Sequence, residues 1–161
     1  MRRAHTLFVL VALLAACSRA ANQSQPSTLP SELALQAQPA APGHDTRVSL
    51  HAASTAGPIV TLVGELNYDT QRLAMKSCAI DEKTSAGKAL HVAEPVPGTV
   101  RAVLAGTLDP LPPAAELLVC TFAVAADAPD GPTTVRAHGE VADTTFEDRP
   151  FTTEQIVQIG N

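Results

Sequence analysis

The sequence has no tryptophan, one tyrosine and four phenylalanines, so aromatic residues make up only 3% of its 161 residues. A carbohydrate-binding surface made of rings laid against sugar faces has almost no material here. Charge is scarce too, at 17% against about 25% in an average soluble domain. Eleven Lys and Arg stand against sixteen Asp and Glu, a net charge of −5, and the basic residues form no cluster. Nucleic-acid binding, which draws on counterions displaced by clustered cations, therefore has no source. No run reaches the roughly 20 apolar residues of a spanning helix, so the processed chain is expected to have none. Catalytic signatures are missing as well: there is no G-x-S-x-G, no H-E-x-x-H and no phosphate-cradling glycine loop. His44, His51, His91 and His138 are isolated along the chain and suit solvated or turn positions. These absences describe a protein that is not an enzyme and has no cofactor and no metal site.

What is present begins with an address. Met1-Arg2-Arg3 forms a positive n-region, Leu7 to Leu14 an apolar h-region, and Ala15-Ala16 leads into Cys17. Residues 1–16 read as a signal peptide, and Leu14-Ala15-Ala16-Cys17 resembles the lipobox of bacterial lipoproteins. That resemblance implies diacylglycerol on the Cys17 thiol, cleavage before it and acylation of the new N-terminus. Several acyl chains anchor a protein stably where one gives marginal binding. The other reading is an ordinary secretory signal that leaves Cys17 discarded or unpaired. Ser18 stands where Asp would hold a lipoprotein in the inner membrane of well-studied Gram-negative cells. The expected location is the bacterial cell envelope, lipid-anchored, with the outer membrane favoured if the host is Gram-negative. Loss of Arg2 and Arg3 reduces the basic count from 11 to 9 against 16 acids, a net −7. From Asp109 onward nine carboxylates face only Arg136 and Arg149, which suits a solvated acidic face.

From Cys17 to Gly43 the chain is rich in Ala, Gln, Ser and Pro, with prolines at 26, 30, 39 and 42. Such composition cannot bury a core, so residues 17–43 are expected to be the lipidated Cys and a flexible tether. Ser31 to Gln36 has the makings of a helical turn but is too short to be stable alone.

Residues 44–161 read as one domain of short strands separated by Gly, Pro and Asp. Val48, Leu50 and Ala52 alternate with Arg47, Ser49 and His51, and Leu62, Leu66 and Tyr68 repeat the pattern. Leu73 with Met75, Val100 to Leu104, Leu118 to Val124, and Val135 with Ala137 do likewise. Gln155 to Gly160 closes the chain as a strand whose inward side is open, since Ile156, Val157 and Ile159 do not strictly alternate. Turn residues fall between the sets at 56–58, 95–98, 109–113 and 127–131. The expected fold is all-β, a two-sheet β-sandwich of jelly-roll type with about nine strands.

With Cys17 lipidated, Cys78 and Cys120 remain in a chain bound for an oxidising compartment, and pairing is their expected fate. Cys120 falls on the apolar face of its strand, and Cys78 lies just past the strand of Leu73 and Met75. Two buried free thiols are the alternative.

Leu66-Asn-Tyr-Asp69 followed by Leu73, Gly98 to Gly106 ending Leu-Ala-Gly, Glu116 to Val124 with its Phe-x-Val, and Asp127-Ala-Pro-Asp-Gly131 occur in an order that resembles a cohesin domain. The resemblance covers about Thr46 to Ile159 and implies a nine-stranded jelly-roll sandwich that binds dockerin modules, which are paired calcium-loop helices. In cellulosomal cohesins the outer face of the strand before Tyr-Asp carries amide and acidic groups for that partner. Here the outward positions are Thr61, Val63, Glu65 and Asn67, and Thr70 replaces the usual Pro after Tyr-Asp. The resulting expectation is a membrane-anchored, non-catalytic binding module with a protein partner, dockerin-like or other, using Thr61 to Asn67 and the strand Thr99 to Ala105. The alternative is polysaccharide binding by the same fold, possible through polar contacts, with Phe146 and Phe151 as the only candidate platform and packing under a 142–154 loop as their plainer role. A structural envelope lipoprotein is the third reading. Asp127 with Asp130, and Asp143 with Glu147 and Asp148, offer hard oxygen ligands. Neither group has the calcium-loop spacing, and turn chemistry is the simpler role for 127–131.

Overall fold

The computed structural model describes residues 32–81, 84, 85 and 87–160. The signal peptide, Cys17 and the tether up to Ser31 lie outside these residues. Among the described residues period-two alternation produces nine strands and no helix. They are β1 (Leu33–Ala37), β2 (Asp45–Ala52), β3 (Thr61–Asn67), β4 (Leu73–Ala79), β5 (Lys88–Val96), β6 (Thr99–Gly106), β7 (Glu116–Val124), β8 (Gly131–Ala142) and β9 (Asp148–Ile159). Two antiparallel sheets face each other, one in the order β1-β2-β7-β4 and the other β5-β6-β3-β8-β9. The all-β sandwich expected from the alternation is the fold observed.

The expected tether ends earlier than its composition indicated. Leu33 and Leu35 are buried, and β1 pairs antiparallel with β2 from Leu33↔Ala52 to Ala37↔Val48. Beyond β1, the Ala40 amide donates to Gln158 O and the Gly160 amide to Ala40 O, both at 3.0 Å, so the chain crosses from one sheet to the edge of the other. Thr46, itself buried, donates its hydroxyl to Gln38 O at 2.5 Å. Residues 32–43 therefore belong to the sandwich, which the expected boundary at 44 had left out. Residues 33–36, which had the makings of a helical turn, form a strand because β2 supplies partners for every backbone group on that side.

The expected 142–154 loop is also shorter. Asp148 to Glu154 belong to β9 and pair with β8 residue for residue, leaving only 143–147 as the turn. In the closing strand Val157 and Ile159 face inward, while Ile156 is exposed. On β7, Leu118 pairs with Leu50 and Glu116 with His51, so Leu117 is an extra residue opposite that step. This bulge lets consecutive Leu117 and Leu118 both enter the core. The β5–β6 hairpin closes at Val96↔Thr99 over Pro97-Gly98, with Gly98 at φ 86°. Proline followed by a left-handed glycine is the requirement of a type II turn.

The core compensates for few rings by close sheet pairing. Phe122 is fully buried on β7, and Leu33, Ile59, Leu62, Leu73, Leu104 and Leu117 are fully buried in the same core. On β3 and β8, Gly64 pairs with Gly139, and a Cβ on Gly139 would fall 2.2 Å from Val63 O. The ring of Phe151, opposite Gly139 on β9, lies over Gly64 and covers the gap left by the missing side chains.

Cys78 and Cys120 form a disulfide. They are direct cross-strand partners of β4 and β7, so the bridge ties an edge strand to its neighbour within one sheet. Closing 42 residues stabilises the fold by about 4 kcal/mol in the chain-entropy model. Cys78→Ser, or reduction, is expected to lower unfolding free energy by up to about that amount. The check is urea denaturation of the oxidised chain, the reduced chain and the variant, and an unchanged midpoint contradicts a stabilising bridge.

Candidate functional site

Alternation on β3 turns Leu62, Gly64 and Leu66 inward and leaves Thr61, Val63, Glu65 and Asn67 on the outer face of the five-stranded sheet. Because β3 is the central strand, its register fixes their neighbours. One row across the face runs His91, Val103, Val63, Glu140, Pro150, and the next runs Ala93, Arg101, Glu65, His138, Thr152. A third row places Thr99, Asn67, Arg136 and Glu154 side by side. The face thus grades from an apolar band through an ion-paired band to an amide and hydroxyl band.

The central band is held by charge. Arg101 donates from Nε at 3.0 Å and Nη2 at 2.5 Å, both to Glu65 Oε1. The other carboxylate oxygen of Glu65 faces His138 Nε2 at 3.8 Å. Asn67 accepts the Thr99 hydroxyl at 3.0 Å, and its amide nitrogen lies 3.4 Å from His138 Nδ1. Arg136 pairs with Glu154 at 2.9 Å. Exposed ion pairs contribute little to stability in water. Their contribution here is fixed orientation, since each side chain stands on a paired strand and is braced by a neighbour.

Between Val63, Glu65, His138 and Glu140 the surface sinks into a concavity of about 630 Å³, with Arg101 and Pro150 at its walls. A second depression of about 430 Å³, bounded by Asn67, Thr134 and Arg136, adjoins it at His138. Val63 is 51% exposed beside the first. A half-exposed aliphatic side chain ringed by oriented polar groups is suited to a macromolecular contact. The β6 strand Thr99 to Ala105 does flank β3, as the expected binding face requires. The sequence reading missed the contribution of β8 and β9. A signal existed, because inward Val135 and Ala137 imply outward Thr134, Arg136, His138 and Glu140; that β8 lies beside β3 is a tertiary fact.

The other candidate groups separate. Phe151 is in the core and Phe146 stands exposed in the β8–β9 turn, so the two rings form no platform. Phe122 is buried and Tyr68 half-buried, which leaves Phe146 the one exposed ring among the described residues. Asp143 accepts the Thr145 hydroxyl at 2.6 Å, the Thr145 amide at 2.7 Å and the Glu147 amide at 3.3 Å. The Thr145 bonds hold its carboxyl below the usual carboxylate range. It serves as the cap of its own turn. Among the described residues no three His, Cys, Asp or Glu side chains converge as a metal cluster.

On the opposite sheet Ser49, His51 and Glu116 come together, a grouping invisible in sequence. Ser49 Oγ lies 2.7 Å and Glu116 Oε1 3.5 Å from the same nitrogen, His51 Nε2. A nucleophile–base–acid relay needs the two different ring nitrogens, so this cluster is not a catalytic triad. At one end of the sandwich a pocket of about 300 Å³ is lined by alanines, prolines, Gly57, Ile59 and Leu111, without a titratable group.

By sequence, no family model and no curated protein matches the chain. By structure the chain is similar to cohesins. A non-cellulosomal cohesin from the archaeon Archaeoglobus fulgidus superposes with a TM-score of 0.68 at 13% identity, over 81% of this chain and 91% of its own. A cohesin module from a Clostridium perfringens family 33 glycoside hydrolase gives 0.67 at 10% identity, over 81% and 98%. The sixth cohesin of scaffoldin B from Acetivibrio cellulolyticus, solved in complex with a Cel5 dockerin, gives 0.66 at 15% identity, over 81% and 99%. At these identities the likeness is one of fold.

Tyr68 borders the second depression. Its ring meets Phe122 edge-on at 4.9 Å, and its hydroxyl donates to the Glu94 carboxylate. Burial first, and then the bond to Glu94, raise its ionisation above the ordinary value of 10.0. The stability linked to this group is present at lower pH and is lost as pH rises through the raised value. With one tyrosine and no tryptophan in the sequence, phenolate absorbance reads Tyr68 alone. The native chain is expected to titrate above pH 10, with the midpoint moving down in Glu94→Gln; an ordinary midpoint in both contradicts the described environment.

Proposed function

We propose that this protein is a non-catalytic lipoprotein of the bacterial cell envelope that presents a cohesin-like module for binding a protein partner of dockerin type. The observation that carries the reading is the outer face of β3 and its neighbours. Val63 stands half-exposed at its centre, Glu65 and Arg101 are locked together, and Glu140 carries a carboxylate at the rim. Such a face lets an apolar side chain of the partner settle against Val63 while the polar bands set its orientation. Several fold neighbours were solved as complexes with dockerins, among them the scaffoldin B cohesin and a Clostridium thermocellum cohesin. Among the described residues no enclosed cleft brings an acid, a base and a nucleophile together, which favours binding over chemistry.

The anchored part of the reading rests on Leu14 to Cys17. From Cys17 to Glu32, fifteen residue steps reach at most about 50 Å from the lipid surface when extended. Cys17→Ser is expected to move the protein from the membrane fraction to the soluble fraction; unchanged membrane retention removes the anchor from the proposal.

The partner is tested by immobilising the mature chain and passing host extract over it with calcium or with chelator. Calcium-dependent retention of a protein carrying paired calcium-loop helices is expected. Val63→Asp adds a carboxylate between Glu65 and Glu140, and is expected to weaken that retention roughly 30-fold, about 2 kcal/mol. The substitution is at an exposed position but sets a carboxylate directly opposite Glu140, so it costs some stability, and its folding is checked by urea denaturation beside the parent. Retention of glycan alone, or binding indifferent to Val63→Asp, overturns the assignment of partner or face.

A further inference from the structure

Of the four sheet edges, three are occupied or broken. β1 and β9 lie along one another, tied by the bonds at Ala40, by the Leu35 amide to the Thr153 hydroxyl at 3.4 Å and by the Arg149–Glu32 pair at 3.2 Å. β4 is interrupted by an irregularity between Met75 and Ser77, and Lys76 there pairs with Asp45 at 2.8 Å. The remaining edge, β5, has no strand beyond it among the described residues. Its centre, Ala89-Leu90-His91-Val92-Ala93, carries no acid, Lys or Arg, and Leu90 and Val92 remain only half-buried against the core.

The orientation of the β5 backbone follows from one bond. The Thr107 amide donates to Gly87 O at 3.1 Å, in register with Ala89↔Ala105 and His91↔Val103. In an antiparallel ladder bonded pairs alternate. Ala89, His91 and Ala93 therefore turn their amides and carbonyls toward β6, and Leu90 and Val92 turn theirs off the sheet, up to the irregularity between Ala93 and Val96. The Lys88 amide, pointing the same way, bonds Ser85 O at 2.6 Å.

The sequence of this edge is complementary to itself. Read in both directions from His91, it sets Leu90 against Val92, Ala89 against Ala93 and Lys88 against Glu94. Glu94 takes the Tyr68 hydroxyl and the Gly98 amide both on Oε1, which leaves Oε2 for another donor. Lys88 Nζ reaches Thr107 O and keeps further protons to donate. The irregularity between Ala93 and Val96, which contains Pro95, ends the regular stretch.

We propose that β5 is a self-pairing edge: two copies of this chain join antiparallel along Lys88 to Glu94, centred on His91, with Lys88 of each copy opposite Glu94 of the other. Leu90 and Val92 of the two copies supply about four backbone hydrogen bonds across the axis, and the two His91 meet as a non-bonded pair. Leu90 and Val92 gain cover on the core side. The product is one continuous ten-stranded sheet with both outer faces on the same side, so each dimer presents two copies of the β3 face. Two faces in one particle raise the avidity for a multivalent partner without any new contact. This inference does not depend on the identity of that partner.

The test is sedimentation velocity of the purified mature chain at pH 8 over a concentration series, with folding of each variant checked by circular dichroism. A reversible, concentration-dependent dimer is expected, weak as suits a small interface. Val92→Pro removes an outward amide and should leave a monomer. Lys88→Glu and Glu94→Lys should each be monomeric alone, by like-charge opposition at both ends. An equimolar mixture of the two restores both charge pairs and should form a heterodimer. A parent chain that stays monomeric throughout, a dimer that survives the charge variants, or a mixture that associates no better than its components overturns the proposal.

Discussion

A two-sheet sandwich is limited by its edges, because each one exposes a ladder of amides and carbonyls that must find partners or be protected. In this chain most of the organisation follows from how those edges are closed. The segment after β1 leaves one sheet and bonds the last strand of the other through Ala40, and the Leu35–Thr153 and Glu32–Arg149 contacts tie the same side further along. On the opposite side, the bulge and Lys76 break β4, and the disulfide to Cys120 ties that strand down. β5 has neither device along its centre.

Edge closure also permits a core with few rings. Among the described residues Phe122 is the one aromatic ring fully enclosed, Phe151 is nearly so, and aliphatic side chains supply most of the buried volume. Dense packing then requires the backbones to approach closely. Gly64 and Gly139 allow this where β3 meets β8, and Phe151 fills the resulting space from β9. The same close pairing holds β3, β6 and β8 in a rigid register, which is what gives the outer face its fixed rows.

Strand-borne residues differ from loop residues in how a binding face is specified. On this face Glu65 is placed between Arg101 and His138 by backbone hydrogen bonds, and side-chain bonds only refine the arrangement. Groups held this way have rotamers that are already restricted, which would reduce the ordering cost of the association proposed above. The mixed charges of the central band favour selection among partners more than raw affinity, as paired surface charges generally do.

The sequence by itself determined what period-two alternation can carry: the all-β class, the inward sets on β2, β3, β6 and β7, and the outward set Thr61, Val63, Glu65 and Asn67. It also isolated Cys78 and Cys120 as the pair available for a bridge. Two strands escaped it, and both are edges. β1 sits in an Ala, Gln and Pro-rich stretch whose two buried leucines look incidental until β2 is beside them. β5 has no fully buried face, so its alternation is muted. Only the tertiary structure decided that β8 and β9 extend the outer face of β3, that Phe146 and Phe151 part company, and that Ser49, His51 and Glu116 meet. Alternation reports which side of a strand is buried, whereas strand order and register arise from long-range pairing between segments that share no local signal.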